Sequence, residues 1–493
     1  MQMISRLADA VSLNGIDQAW QRALQGSAIV GVGSAFKSAL TKIDGEAVRK
    51  FGSGLQSLSF AAALVLFSVL ALPQFTNDKE GLALIAMTGF GLWLLGYLLG
   101  GKESRRSNAV DIAVLLFFAA NVIAACASHY FIPSLKGLSK IIVYICSYFF
   151  LTAILSNSPK RKLILVSILV TSAFAVSLHG FYQYKIGVEP LATWEDPTVE
   201  THGTRIFSTF GNPNLLAGYL IPLCPLALAL GLSALSARKF LLAIAPIIAA
   251  AAIAVAIILT GSRGGYLAVA AAGATISIMA VAKFWIAQPK ARLFIIILCI
   301  VLPVLLLIGL HFVPAFEQRV TSIFAGREHS SNSYRINVWN ASWRMLLDNW
   351  WFGIGPGNVT FRLAYGLYMV SGFDALGTYC VPLEVAVESG IIGLIAFGVM
   401  LLSLFGRAHI SFWSSPKTLE TLDKPDSEQS SRAMLTSDQW LAAGAVAALV
   451  GLMAQGMVDT IFYRPQVQFI FWLVVALIVT DANSSTRSIK RNS

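Results

Sequence analysis

Long apolar runs alternate with short polar turns, many of them basic, from about residue 57 to the end of the chain. A run of about 18 apolar residues is long enough to cross a bilayer as a helix. Twelve such stretches are legible, at 57–73, 81–99, 109–127, 137–155, 163–181, 212–233, 240–260, 264–282, 293–312, 382–405, 439–461 and 467–481. The pattern predicts an all-α polytopic membrane protein with about 12 transmembrane helices and a long extracytoplasmic loop. Alternating the spans from a cytoplasmic N-terminus puts 24 of the 36 Lys and Arg residues into inner loops and tails. That bias is the one imposed by the difficulty of translocating positive charge. Both termini are then cytoplasmic, in the plasma (inner) membrane.

The expected organisation is a cytoplasmic or interfacial segment over 1–56, a bundle over 57–481 and a basic cytoplasmic tail over 482–493. A polar inner loop over 407–438 has the composition of a flexible linker. Two outer segments are long, at about 182–211 and 313–381. In the second, Ile336, Trp339, Trp343, Leu346 and Leu347 form an apolar stripe, which predicts a helix lying flat on the membrane. Near the start, Ile16, Trp20, Ala23 and Leu24 share a helical face. This face suits either the headgroup layer or the side of the bundle. No cleavable signal peptide and no internal repeat are visible.

Composition sharpens the class. Apolar residues make up 56% of the chain and charged ones 12%, about half the usual share, with a mean hydropathy of +0.70. These values exclude both a large soluble enzyme and a disordered chain. The net charge of +11 is explained by the inner loops, so no nucleic-acid partner is inferred. Five cysteines and six histidines show no metal or redox spacing, and no metal, disulfide or cofactor is expected. No phosphate-binding loop of the ATPase type is present.

Candidate chemistry lies where positive charge resists the insertion rule. The outer segment 313–381 holds Arg319, Arg327, Arg335, Arg344 and Arg362 and no lysine. Arginine's planar fork of donors suits carboxylate, carbonate or phosphate oxygens. Gly261-Ser-Arg-Gly-Gly265 forms the outer turn before the eighth span, where free amides and the helix dipole favour an anion beside Arg263, Gly264 and Gly265. Asn212-Pro-Asn214 reads as an N-cap followed by a proline at the first helical position. Gly353-Ile-Gly-Pro-Gly357 reads as a helix stop and turn. Glu384 and Glu388 share a face at the outer start of the tenth span, and Asp459 ends the eleventh. Acids so placed either balance Arg263 and Arg335 or couple an ion.

The order of Gly261–Gly265, Asn212–Asn214, Arg335 with Trp339, Gly353–Gly357 and Glu388-Ser-Gly390-Ile-Ile-Gly393 resembles the O-antigen ligase and polymerase superfamily over about 200–400. Gly187–Trp194, Ser322–Glu328, Tyr379–Val387 and Asp459–Pro465 resemble a cyanobacterial bicarbonate-transporter family, IctB, over nearly the whole chain. The ligase resemblance implies arginines that hold an undecaprenyl pyrophosphate sugar donor, at Arg263 and Arg335. It also implies a histidine base for an acceptor hydroxyl, but Tyr379 stands at that position and Cys380 at the following asparagine. A phenol with an ordinary pKa of about 10 is a poor base near neutrality. The transporter resemblance implies inorganic-carbon uptake, with bicarbonate or another small anion bound by Arg263, Arg335 and Tyr379 facing outward. Drawing in a monovalent anion against 100 mV costs about 2.3 kcal/mol, so Glu384, Glu388 or Asp459 would couple a cation. The expected function is therefore bicarbonate transport; the alternatives are glycosyl transfer from a lipid-linked sugar, without the usual catalytic histidine, and a subunit of a carbon-uptake complex.

Overall fold

The computed structural model describes residues 14–25, 45–74, 79–101, 107–156, 158–189, 204–287, 330–413 and 437–491. The described residues contain helices and connecting turns and no strand. In chain order the helices are α1 (Asn14–Gln25), α2 (Gly45–Val69), α3 (Lys79–Leu98), α4 (Ala109–Ala127), α5 (Phe131–Leu155), α6 (Pro159–Ile186) and α7 (Pro213–Ser236). They continue as α8 (Phe240–Leu259), α9 (Arg263–Ala287), α10 (Ser330–Asp348), α11 (Asn358–Tyr365), α12 (Val381–Trp413), α13 (Ser437–Gly456) and α14 (Pro465–Arg491). Ten of them are long and apolar enough to cross a membrane. An eleventh apolar stretch, Pro465–Thr480, is shorter. The expected span at 293–312 lies outside the described residues, as do Arg319 and Arg327.

Burial separates the spans by role. In α7 and α13, 72% and 78% of the apolar window is buried, against 22% in α3 and α9. Small residues bring the two central helices together: a Cβ on Gly444 would sit 2.6 Å from the Cβ of Ala229. The first part of α14 is apolar on every face because every face is covered; Phe469, Leu473, Val475 and Leu477 are all buried. The stretch expected as a span at 467–481 is thus a short apolar stretch of helix enclosed by its neighbours on all sides.

Several boundaries differ from the hydropathy reading. Helix α2 begins at Gly45 rather than 57, since its first three turns are polar and leave no hydropathy signal. Helix α12 runs on to Trp413, which takes in the start of the expected linker; 414–436 lie outside the described residues. Helix α14 likewise extends through most of the expected tail, to Arg491.

The expected apolar stripe divides between core and surface. In α10 the buried side chains are Val338, Ala341, Met345 and Leu346, while Trp343 and Leu347 are about half exposed. The buried set joins Phe361, Tyr365 and Val387 in a second core, apart from the main one. Trp343, Trp351 and Phe352 remain outward, the residue types that membrane interfaces favour. Near the other end of the chain, α1 docks through polar groups: Trp20 Nε1 donates to Ser107 Oγ at 2.8 Å and Arg407 to Asp17 at 2.6 Å. Ile16 and Ala23 face outward, so the expected apolar face is split.

Candidate functional site

The site is built where α12 breaks. At Gly390 the backbone leaves helical geometry (φ 67°, ψ −171°), which frees carbonyls one turn earlier. The glycine-rich loop after α10 takes them up: Ile354 N–H donates to Val387 O at 2.9 Å and Gly355 N–H to Glu388 O at 3.0 Å. Gly355 has φ +102°, and a Cβ there would lie 2.2 Å from Ser134 Oγ. Only glycine fits that backbone and that space. The turn expected at 353–357 is thus a plug against the ends of α5 and α12, and it delivers Asn358 to the start of α11.

Beside the plug, Tyr379 is held with φ +53°, the left-handed region that a tyrosine seldom enters. Its amide donates to Thr460 Oγ1 at 2.8 Å, and its carbonyl accepts from Trp339 Nε1 at 3.4 Å. The Arg335 guanidinium lies 6.0 Å from the Tyr379 ring centroid. Tyr334 meets the same ring edge-on at 5.7 Å. Burial pushes the Tyr379 phenol well above its ordinary value, and Tyr334 and Asp459 add to the rise. Tyr379 is therefore a neutral phenol.

Asp459 follows α13 and accepts from the Thr460 amide at 2.8 Å. Burial raises its carboxyl above the usual range, while Arg335, Arg205 and Arg464 act to lower it. Three arginines from separate segments thus act on one partly buried acid. Among the described residues none makes a direct ion pair with Asp459, so the expected neutralisation of Arg335 by Glu384, Glu388 or Asp459 is not a contact pair. Arg335 donates from Nη1 to Ser331 Oγ at 2.9 Å, yet its buried Nε–H has no acceptor. Gln455 Oε1 is also buried without a donor.

The Gly261–Gly265 turn lies alongside. Ser262 Oγ accepts from the Gly265 amide at 3.2 Å and caps α9, so that amide is occupied. A Cβ on Gly264 would fall 2.8 Å from Val458, the neighbour of Asp459. The paired glycines therefore permit close packing, and Arg263 opens α9 next to the arginine cluster. Arg205, which sequence reasoning missed, spans the turn: its Nε donates to Thr260 O at 2.8 Å and its Nη2 to Asn214 Oδ1 at 3.3 Å. The Asn212 side chain caps α7 as expected, accepting from the Asn214 amide at 2.8 Å. Arg205 and Arg464 were nonetheless signalled, since both are positive charges in segments assigned to the outside.

Glu384 and Glu388 open from the same face of α12 into a separate cavity of about 100 Å³ between α4, α5, α12, the glycine loop and α14. Tyr463 O–H donates to Glu388 Oε1 at 2.8 Å. Lys140 Nζ reaches Asn358 Oδ1 at 3.3 Å at the same cavity. The Glu384 carboxylate, 5% exposed, receives no hydrogen bond from any described residue. The structure therefore gathers Arg335, Tyr379 and Asp459 into one site, with Gly264 against it and the two glutamates in an adjoining chamber.

A search of curated proteins finds no match to this chain. Residues 248–398 match the family model described as O-Antigen ligase, a stretch that contains Arg263, Arg335, Tyr379, Glu384 and Glu388. That match supports the O-antigen ligase-like superfamily read from the motifs, on an all-helical membrane fold.

Proposed function

We propose that this protein is a membrane glycosyltransferase that takes a sugar from a lipid-linked pyrophosphate at the outer side of the plasma (inner) membrane, with both termini cytoplasmic. The observation that carries this reading is the buried Arg335 Nε–H, an unused charged donor beside Arg205 and Arg464. Leaving a buried donor unmade costs about 1–3 kcal/mol, and more for a charged group, unless a ligand supplies the acceptor. A pyrophosphate supplies several oxygens. Its charge rises as the bond from the anomeric carbon to oxygen breaks, and arginines already in position stabilise that charge most where it develops. The O-antigen ligase match over 248–398 points to the same leaving group.

The bicarbonate-transporter resemblance would use the same cluster for a smaller anion, with or without a partner subunit. One experiment separates the two. Binding of undecaprenyl pyrophosphate to the purified protein is measured with and without millimolar bicarbonate, for the wild type and for Arg335→Ala. The glycosyltransferase reading expects tight lipid binding, weakened about 10- to 100-fold by the substitution, and no competition by bicarbonate. Competition by bicarbonate, joined to liposome uptake of bicarbonate that Arg335→Ala abolishes, would establish the transporter instead.

A further inference from the structure

A glycosyl transfer needs a group to accept the proton of the attacking hydroxyl, and the neutral Tyr379 cannot be that group. The adjoining chamber offers another. Its polar lining combines donors and acceptors. Lys140 Nζ donates to Asn358 Oδ1 at 3.3 Å and has further N–H groups, while Asn121 Nδ2 donates to Phe117 O at 2.8 Å and Gln468 Nε2 to Phe462 O at 3.1 Å. The amide oxygens of Asn121 and Gln468 are left for a ligand, together with the Glu384 carboxylate. Such a lining suits hydroxyls, which both donate and accept, and a sugar or other polyol carries several. The ring of Trp472 adds the apolar surface that ligand pockets combine with a few polar groups.

Glu384 joins the chamber to the arginine site. It lies in the first turn of α12, where its amide donates to Cys380 O at 2.8 Å, one residue beyond Tyr379. The Tyr379 amide donates to Thr460 Oγ1 at 2.8 Å, and the Thr460 amide donates to Asp459, which ties the start of α12 to the acid of the arginine site. Glu388 is less suited, since one of its oxygens already accepts from Tyr463.

The geometry points to the chamber as the acceptor site and to Glu384 as the general base that replaces the absent histidine. This inference rests on the glycosyltransferase reading above. In the step, the acceptor oxygen forms a bond to the anomeric carbon while the bond from that carbon to the pyrophosphate oxygen breaks. The bonding pair leaves with the lipid pyrophosphate toward Arg335, and the hydroxyl proton passes to Glu384. The carboxyl then releases that proton to water entering the chamber.

The test uses full-length protein in proteoliposomes, with undecaprenyl-pyrophosphate-linked N-acetylglucosamine as donor and dodecyl glucoside as acceptor. Glu384→Gln keeps size and polarity and removes the base. Transfer should fall about 10²- to 10⁴-fold while binding of undecaprenyl pyrophosphate is retained. In Glu384→Ala, added formate should restore part of the transfer, which a merely structural residue would not allow. Transfer within threefold of wild type in Glu384→Gln would overturn the base assignment and leave the glycosyltransferase reading standing. Loss of lipid binding together with transfer in that variant would also overturn it, as the residue would then be supporting the donor site. A wild type that neither binds the lipid nor transfers sugar would overturn both.

Discussion

The two ends of the bundle treat buried charge differently. At the end bearing α1, Asp17 accepts from Arg407 and also from the Ala109 amide, both at 2.6 Å. Asp111, 1% exposed, accepts from Tyr148 O–H, Ser107 O–H and the Asn108 amide within 2.9 Å. These acids are saturated by protein donors, which is how a structural charge is kept inside a fold. At the opposite end, Arg335 Nε, Glu384 Oε2 and Gln455 Oε1 are buried and unmatched. Unmatched neutral groups occur at both ends, Asn108 Nδ2 among them at the first, but the unmatched charged groups, Arg335 and Glu384, both lie at the second, which marks where a ligand is expected to complete them. For buried charge, saturation identifies scaffold and its absence identifies the site.

The comparison breaks most readily at the plug. Gly355→Ala forces a side chain into a left-handed backbone position and into Ser134, at an expected cost of about 4 kcal/mol from strain and overpacking together. Thermal unfolding should drop markedly, and lipid pyrophosphate binding should vanish with the loop that shapes the site. A variant that keeps both properties would mean that the plug does not hold the site together.

A smaller effect is expected at the saturated end. Asp17→Ala removes the carboxylate paired with Arg407, whose side chain is 3% exposed, although Asp17 itself is 25% exposed. The loss should be about 2 kcal/mol, below the range for fully buried pairs. Thermal unfolding reports that loss, and binding of the lipid should not change. Weakened binding without destabilisation would mean that the α1 end takes part in function.

The smallest effect is a pH dependence. Asp459 and a bound anion compete for the same arginines, and burial raises the Asp459 carboxyl above the usual range. Acidification protonates Asp459, removes the competitor and should strengthen anion binding. Asp459→Asn should therefore bind a few-fold more tightly near neutral pH and lose the part of the pH response that this carboxylate supplies. An unchanged titration curve in that variant would show that Asp459 does not compete.

The spans were legible because a bilayer demands length and apolarity, and α4 matches its expected bounds of 109–127. Their ends were less so, since the polar first turns of α2 form helix for reasons that hydropathy does not register. The stripe of α10 was legible as apolar, but not which of its residues would be covered. A surface helix near lipid can be apolar on its exposed side too, and Trp343 and Leu347 are exposed while Leu346 is buried. Within the site, Arg335, Tyr379, Glu384, Glu388 and Asp459 stood out by charge or by departure from a motif. Sequence spacing could not place Arg205 and Arg464 around Asp459, because these residues come from separate segments that meet only on folding. Nor could it distinguish the saturated Asp17 from the unmatched Glu384, which depends on neighbours from several helices.

The central claim is that Arg335, through its unmatched Nε–H, holds a pyrophosphate with Arg205 and Arg464. Its most direct test is an experimental structure of the protein in lipid nanodiscs with undecaprenyl pyrophosphate. The account predicts a phosphate oxygen within hydrogen-bond distance of Arg335 Nε, with Arg205 or Arg464 on the same group. A pyrophosphate seated instead on the exposed Arg344 or Arg362, with Arg335 Nε still unmatched, would contradict it.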